Sequence, residues 1–425
     1  MDWFTILKYA YWFSVGIICL RIIWDTRSNT KTLAYVLVAI FVPVVGIIGY
    51  FVFGVNYRKR KIYNEKLFKN KELRKELQKQ IKKHSGEILD DAKNPDQEAL
   101  DNGLDENVRL IHFLLKETLS PVTDGNEVEL LLNGETKFPK VFEAIKQAKQ
   151  HIHIEYYIYA NDTIGHELSD LLIEKAKEGV KVKFIYDDFG SKSIRKKEVD
   201  RLKDAGVEAY PFYEIKLIAF ANRINYRNHR KIIVVDGSTA FVGGINVSDD
   251  YINEPEKYNG KNSRYWRDTH LMIKGPAVAY LQYTFITDWN FCCESQLVPN
   301  EEFFPKIKPI PKAKGKIVQI AASGPDSDLP NIGYSLMQAI NLAEKEILIT
   351  TPYFIPGESL MDNILIAANS GVKVKLLVPE KSDSVIVDSA ARSYYSLLLE
   401  EGVEIYLYQK GFIHAKTMVT DNNLS

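Results

Sequence analysis

One pattern occurs twice in this chain, and each copy must end up in a unit able to hold it. Residues 228–236 read Asn-His-Arg-Lys-Ile-Ile-Val-Val-Asp, and residues 413–421 read Ile-His-Ala-Lys-Thr-Met-Val-Thr-Asp. Both fit H-x-K-x4-D, with His229, Lys231 and Asp236 in the first copy and His414, Lys416 and Asp421 in the second. In a strand, residues i and i+2 share a face. His229 and Lys231 therefore point one way and Arg230 the other. Ile232 to Val235 suits a strand covered on both sides. Asp236-Gly237 is a turn signal, and Ser238 to Val242 reads as the returning strand.

The repeat extends beyond the motif. Glu178-Gly179-Val180-Lys181-Val182-Lys183 matches Ser370-Gly371-Val372-Lys373-Val374-Lys375, and Ala205-Gly206-Val207-Glu208 matches Glu401-Gly402-Val403-Glu404. The spacing predicts helix 142–150, strand 151–159, helix 166–178 and strand 180–186. The same order returns as helix 335–345, strand 347–351, helix 360–370 and strand 372–378. The first copy carries an extra segment, Tyr213 to Asn225, before its motif. Strands alternating with helices predict an α/β fold with both sheet faces covered. Two such units predict two similar lobes, 111–303 and 304–425, paired as a pseudo-dimer, with a Pro/Lys-rich joint from Phe304 to Lys316 opening the second.

The N-terminus has a different character. From Trp3 to Trp24 it is mostly apolar, broken by Lys8 and Arg21; from Thr32 to Gly54 it carries no charge. Each stretch is long enough to cross roughly 30 Å of hydrocarbon as a helix. The polar loop Asp25 to Lys31 between them predicts a transmembrane helical hairpin over 1–55. A cleaved signal peptide would open on basic residues, whereas Asp2 comes first here. Arg58-Lys59-Arg60-Lys61 follows, and a basic helix-prone stretch runs to His84. A polar, acidic linker completes 56–110. The positive-inside rule places everything after the second span on the cytoplasmic side of the cell membrane. The basic stretch also suits an anionic leaflet.

With 55 basic and 55 acidic side chains the chain is neutral, which argues against a general nucleic-acid binder. Cys19, Cys292 and Cys293 make no disulfide framework. The chemistry that fits the paired motifs is phosphodiester exchange. A neutral imidazole can attack phosphorus, a protonated one can deliver a proton to the leaving alkoxide, and two lysines can balance the phosphate charge. Asn246, beyond Gly243-Gly244, can donate to a phosphate oxygen. No metal-ligand cluster is spelled in the sequence, so a reaction without metal or other cofactor is expected.

These residues resemble the phospholipase D superfamily, and within it the bacterial cardiolipin synthases. The resemblance covers nearly the whole chain. It rests on the two motifs and on Asn225-Tyr226-Arg227-Asn228, Gly243-Gly244-Ile245-Asn246 and Tyr265-Trp266-Arg267-Asp268-Thr269-His270. Ile154-Glu155-Tyr156-Tyr157-Ile158, Tyr186-Asp187-Asp188-Phe189-Gly190-Ser191 and Thr351-Pro352-Tyr353-Phe354-Ile355-Pro356 add to it, as do Pro43, Gly46, Tyr50 and Gly54. It implies a phosphatidyl transfer between two phosphatidylglycerols through a phosphatidyl-histidine, giving cardiolipin and glycerol. His229 would be the nucleophile and His414 the general acid; Lys231, Lys416 and Asn246 would hold the phosphate. A carboxylate later in each lobe would orient the histidine, with Asp268 the candidate in the first. Phospholipid hydrolysis, transfer to serine, or a non-enzymatic membrane role are the alternatives.

Other residues divide between chemistry and structure. Asp236 and Asp421 belong to the motif but suit bracing its turn. Asp187-Asp188 suits loop hydrogen bonding better than a metal pair. His151 and His153, at a strand edge, suit packing or surface exposure. Glu155, a carboxylate inside an apolar strand, needs a partner and is a candidate for the substrate pocket. Leu217 to Phe220 could guide acyl chains or pack on the lobe. The chain stops at Ser425, four residues past Asp421. The resemblance calls for more sheet and helix beyond that point, so the second lobe is expected to be incomplete.

Overall fold

A computed structural model describes residues 2–26, 29–50, 104–212, 227–254, 264–307 and 329–425, with scattered positions at 73–85 and most of 310–327. The basic stretch after Tyr57, most of the linker, and the inserted segment with Leu217 to Phe220 lie outside the described residues.

Helix α1 (Trp3–Asp25) has 23 residues. At about 1.5 Å per residue it is long enough to cross a bilayer, and its apolar side chains are largely exposed. The second apolar stretch departs from the expected single span. It forms α2 (Asn29–Phe41), breaks at Val42, and resumes as the short α3 (Pro43–Gly49). Proline has no N–H to continue a helix and instead opens a new first turn. The break folds the chain back, so that a Cβ on Gly46 would strike the Val38 carbonyl.

After α4 (Val108–Thr118) comes an eight-stranded sheet in the order β4-β3-β2-β5-β6-β8-β1-β9. Its strands are β1 (Thr123–Leu132), β2 (His151–Tyr156), β3 (Lys181–Asp187), β4 (Glu208–Phe212), β5 (Lys231–Val235), β6 (Thr239–Gly243), β8 (Thr269–Lys274) and β9 (Lys316–Val318). β2, β3 and β4 are parallel, joined through α6 (Thr163–Lys177) and α7 (Lys197–Asp204); β5 runs antiparallel to β2. The side chain of Asp162 caps α6 by accepting from the Gly165 N–H at 3.1 Å. β9, from the stretch just after the expected joint, adds to this first sheet by pairing with β1.

Both faces of the sheet are covered, which is why β2 and β5 are buried along their whole length. One face packs α5 (Asn133–Gln147) and α6 through Phe138, Val141, Leu168 and Leu172. The other packs α8 (Val278–Cys292) through Val278, Leu281, Phe285 and Trp289. Each such buried side chain contributes about 1.5–3 kcal/mol. His151 and His153 lie inside this second face, not at an edge, because β2 is flanked by β3 and β5. The His153 ring stacks on Phe285 at 4.5 Å, and its Nδ1 is 2.6 Å from Gln282 Nε2.

A second sheet, in the order β12-β11-β10-β14, repeats the arrangement β4-β3-β2-β5. It comprises β10 (Glu346–Thr350), β11 (Lys373–Pro379), β12 (Glu404–Tyr408) and β14 (Thr417–Thr420). Helices α9 (Asn331–Leu342), α10 (Glu358–Asn369), α11 (Val385–Arg392) and α12 (Tyr395–Glu400) accompany it. A parallel pair of short strands, β7 (Tyr265–Arg267) and β13 (Gly411–Ile413), ties the two halves together. Gly411 is required there because a Cβ would strike the Tyr265 carbonyl.

Candidate active site

The two motifs meet at the β7–β13 junction. Lys231 opens β5, and His229 lies two residues before it. His414 follows β13, and its backbone N–H donates to the Arg267 carbonyl at 2.7 Å. That bond sets His414 beside Asp268. Asp268 Oδ2 lies 2.7 Å from His414 Nδ1. Asp268 is fully buried; its Oδ1 accepts from the Thr269 N–H at 2.7 Å, and its own N–H donates to Asn133 Oδ1 at 3.0 Å. The carboxylate is thus held on both sides before it reaches the imidazole. Asp268 is expected from the sequence to serve the histidine of its own half, whereas its carboxylate contacts the one in the other.

The lysines behave alike in the two copies. Lys231 Nζ donates to the His229 carbonyl at 2.7 Å, and Lys416 Nζ to the His414 carbonyl at 2.6 Å. Burial first, and then the charge of Lys416, pulls the Lys231 ammonium down to about 7. Burial likewise lowers Lys416 to about 8, against the pull of Asp268 and Asp383. The His229 ring stacks on Tyr157 at 3.8 Å. Crowding by protein, followed by the charges of Lys231, Lys416 and His414, holds its imidazole down at about 4. The residue stays open to solvent, and water tempers the effect of burial there. The charges of the second copy therefore bear on the histidine of the first.

Aromatic side chains wall the site. Trp266, Phe412, Tyr251 and Tyr353 all set rings within 5.5–6.3 Å of His414. Asn246 supports this wall. Its Nδ2 donates to the Tyr251 hydroxyl at 2.6 Å and its Oδ1 accepts from the Ile158 N–H at 3.3 Å. The expected phosphate donor is therefore tied into the protein at both ends of its amide.

Asp236, Asp421 and Glu155 lie away from the two histidines. Asp236 sits at the far end of β5 from Lys231, with φ +49°. Its carboxylate accepts from the N–H groups of Lys149, Gln150 and His151 at 2.8–2.9 Å. Asp421, with φ +52°, does the same for Glu344, Lys345 and Glu346 at 2.7–2.8 Å. Both aspartates brace the entry to a parallel strand. Glu155 is paired across to Ile232, one position from Lys231's partner Tyr156. Successive strand residues face opposite ways, so Glu155 points toward α8. There it accepts from Asn228, and burial together with nearby Asp288 pushes its carboxyl well up. Arg230 pairs with Asp288 on the same face.

Asp187 serves the site indirectly. It accepts from the Phe189 and Gly190 N–H groups at 3.0 and 2.8 Å, and from the Asn228 N–H at 3.1 Å, fixing the chain just before His229. Sequence reasoning missed Asn133, Tyr251 and Asp383, which no local pattern marks. Tyr157, Trp266 and Tyr353 were signalled only as members of the aromatic-rich strings.

Known proteins match most of the chain. The family described as "Cardiolipin synthase, PLD-like domain" matches residues 141–285 and 336–425. The family described as "Phospholipase_D-nuclease N-terminal" matches residues 13–54. The chain is 37% identical over 407 residues to the probable cardiolipin synthase YwiE of Bacillus subtilis, covering 95% of this chain and 76% of that protein. It is 39% identical over 426 residues to a cardiolipin synthase of Alkalihalophilus pseudofirmus, covering 99% of this chain and 80% of the relative. It is 38% identical over 405 residues to the major cardiolipin synthase ClsA of Bacillus subtilis, covering 94% and 80%.

Proposed function

This chain belongs to the cardiolipin synthase family of phospholipase D-like proteins, and from that membership we propose that it transfers a phosphatidyl group from one phosphatidylglycerol to another. The observation that carries the mechanism is the Asp268–His414 contact, which brings a carboxylate from the first half of the chain to the motif histidine of the second.

The two histidines divide the work by environment. His229 has no carboxylate partner among its described contacts and stays neutral, as a nucleophile must. It attacks phosphorus, the bond to the glycerol oxygen breaks, and the imidazolium of His414 gives its proton to the departing alkoxide. Asp268 stabilises that imidazolium and fixes which ring nitrogen faces the substrate. Lys231 and Lys416 balance the phosphate oxygens. In the second half, the terminal hydroxyl of another phosphatidylglycerol bonds to phosphorus. The phosphorus–His229 bond breaks, and the hydroxyl proton passes to His414, giving cardiolipin. Asn246 keeps Tyr251 in place beside His414, and Asp236 and Asp421 brace the strands.

Two similar lobes pairing as a pseudo-dimer account for the common strand order and for the matching aspartate braces. The division we propose runs from the hairpin (1–55) through the juxtamembrane segment and linker (56–110) to a first lobe extending through β9, with the second lobe after it. The apolar N-terminal helices fit a cell-membrane protein. A multi-pass hairpin with the catalytic part in the cytoplasm follows from the basic run after Tyr57. One contact favours a different placement: Thr30 Oγ1 donates to Glu358 Oε1 at 3.3 Å, which a turn on the far side of the membrane could not do. Labelling Thr30→Cys with an impermeant maleimide in intact cells separates the two. Labelling from outside supports the hairpin, and protection supports helices held on the catalytic side.

The reaction is tested with headgroup-labelled phosphatidylglycerol and trapping of the covalent intermediate. Cardiolipin and free glycerol, with the adduct on His229, are expected. An adduct on His414 alone would reverse the two roles, and phosphatidic acid as sole lipid product would replace transferase by hydrolase.

A further inference from the structure

The mouth of the site carries an anion that the histidine–lysine chemistry does not use. Tyr353 lies in the loop after β10, and Asp383 in the loop after β11. These strands are parallel neighbours, so both loops leave the same, carboxyl end of the sheet. The Tyr353 ring stands 6.3 Å from the His414 ring and 6.2 Å from Phe412. Its hydroxyl donates to Asp383 Oδ2 at 2.7 Å, and Ser382 Oγ donates to Oδ1 at 3.3 Å. Asp383 is exposed, its charge is felt at Lys416, and a carboxylate has about four acceptor positions, of which these bonds occupy two.

A carboxylate beside a site that must admit a phosphodiester anion opposes that anion. It is well suited to a neutral polyol, because a carboxylate accepts strongly from hydroxyl groups. We propose that Asp383, held by Tyr353, is the binding subsite for the acceptor alcohol, a vicinal diol such as the glycerol end of the second phosphatidylglycerol. This inference rests on the transferase reading above. In the second half-reaction the primary hydroxyl oxygen bonds to phosphorus as the His229 nitrogen–phosphorus bond breaks, and its proton goes to His414. The neighbouring secondary hydroxyl donates to Asp383 throughout and transfers no proton. The carboxylate thereby points the attacking oxygen toward the phosphorus and favours a diol over a simple alcohol.

The test is a partition between acceptors. The chain is reconstituted in phosphatidylglycerol vesicles with 1-butanol present, and the ratio of cardiolipin to phosphatidylbutanol is measured. Both products arise from one intermediate, so the ratio reports acceptor choice alone. Asp383→Asn weakens a charge-assisted bond and is expected to lower the ratio about tenfold, with Asp383→Glu restoring part of it. Tyr353→Phe removes only the hydroxyl that holds the carboxylate and is expected to lower the ratio about threefold. It decides the question if the asparagine variant fails to fold. A ratio unchanged in the folded variants overturns the subsite and leaves the transferase intact. Absence of glycerol release and of both products from the unaltered chain overturns the transferase reading and this inference with it.

Discussion

Asp268 Oδ2 and His414 Nδ1 are 2.7 Å apart although 146 positions separate them in the chain. The pair ties the first half of the chain to the second copy of the motif. Replacing Asp268 by Asn keeps the shape but supplies an amide where an anion supported the imidazolium. Turnover is expected to fall about a thousandfold or more, with the circular dichroism spectrum unchanged. A loss of folded protein in place of a kinetic defect would show that Asp268 only packs.

The motif aspartates should behave in the opposite way. Asp236→Ala and Asp421→Ala each strand three backbone N–H groups at a strand entry. Each is expected to cost about 1–3 kcal/mol of stability, seen as a lower denaturation midpoint. Protein that remains folded should keep most of its kcat.

Gly244 makes room for the Asp268 carboxylate, which a Cβ there would strike. Gly244→Ala should therefore displace Asp268 from His414 and lower kcat far more than it lowers Tm. Equal losses in both would refute that account.

Acid should destabilise the fold before it protonates the usual carboxylates. Burial lowers His151, and lowers His153 and His270 well below the ordinary imidazole value. The unfolded chain binds protons on these rings from about pH 6.5 downward, where the folded chain does not. Stability is thus fully present above that pH and falls as pH drops below it. Denaturant titrations between pH 7.5 and 5 should show this slope, and His270→Asn should reduce it.

Alkali should weaken substrate binding. The Lys231 and Lys416 ammonium groups are lowered to about 7 and about 8. Both lose charge as pH rises through those values, so KM for an anionic phospholipid should climb between pH 7 and 9. Bound phosphate favours their charged forms, and that preference is what makes KM climb as the free lysines lose their protons. A KM independent of pH over that range would mean that neither lysine neutralises the phosphate.

What the amino-acid order determined by itself is whatever local periodicity writes. The i, i+2 spacing placed His229 with Lys231 and turned Arg230 toward Asp288. The Asp236-Gly237 turn and the Val-Lys-Val-Lys strands of both copies were legible for the same reason, since each needs only neighbours in the chain. The apolar N-terminus was readable from composition, but its second stretch was not one helix, because Pro43 withholds an N–H at its middle.

Contacts between distant segments were decided only by the tertiary structure. Which histidine Asp268 serves depends on the parallel pairing of β7 with β13, a register that no local pattern encodes. Glu155 looked available to a pocket, but the pleat turned it to the far face, toward α8. The partnership of Asn246 with Tyr251 was likewise set only by folding. A side chain's chemistry is written in the sequence; its partner is fixed by which sheets pack, in what register, and on which face it emerges.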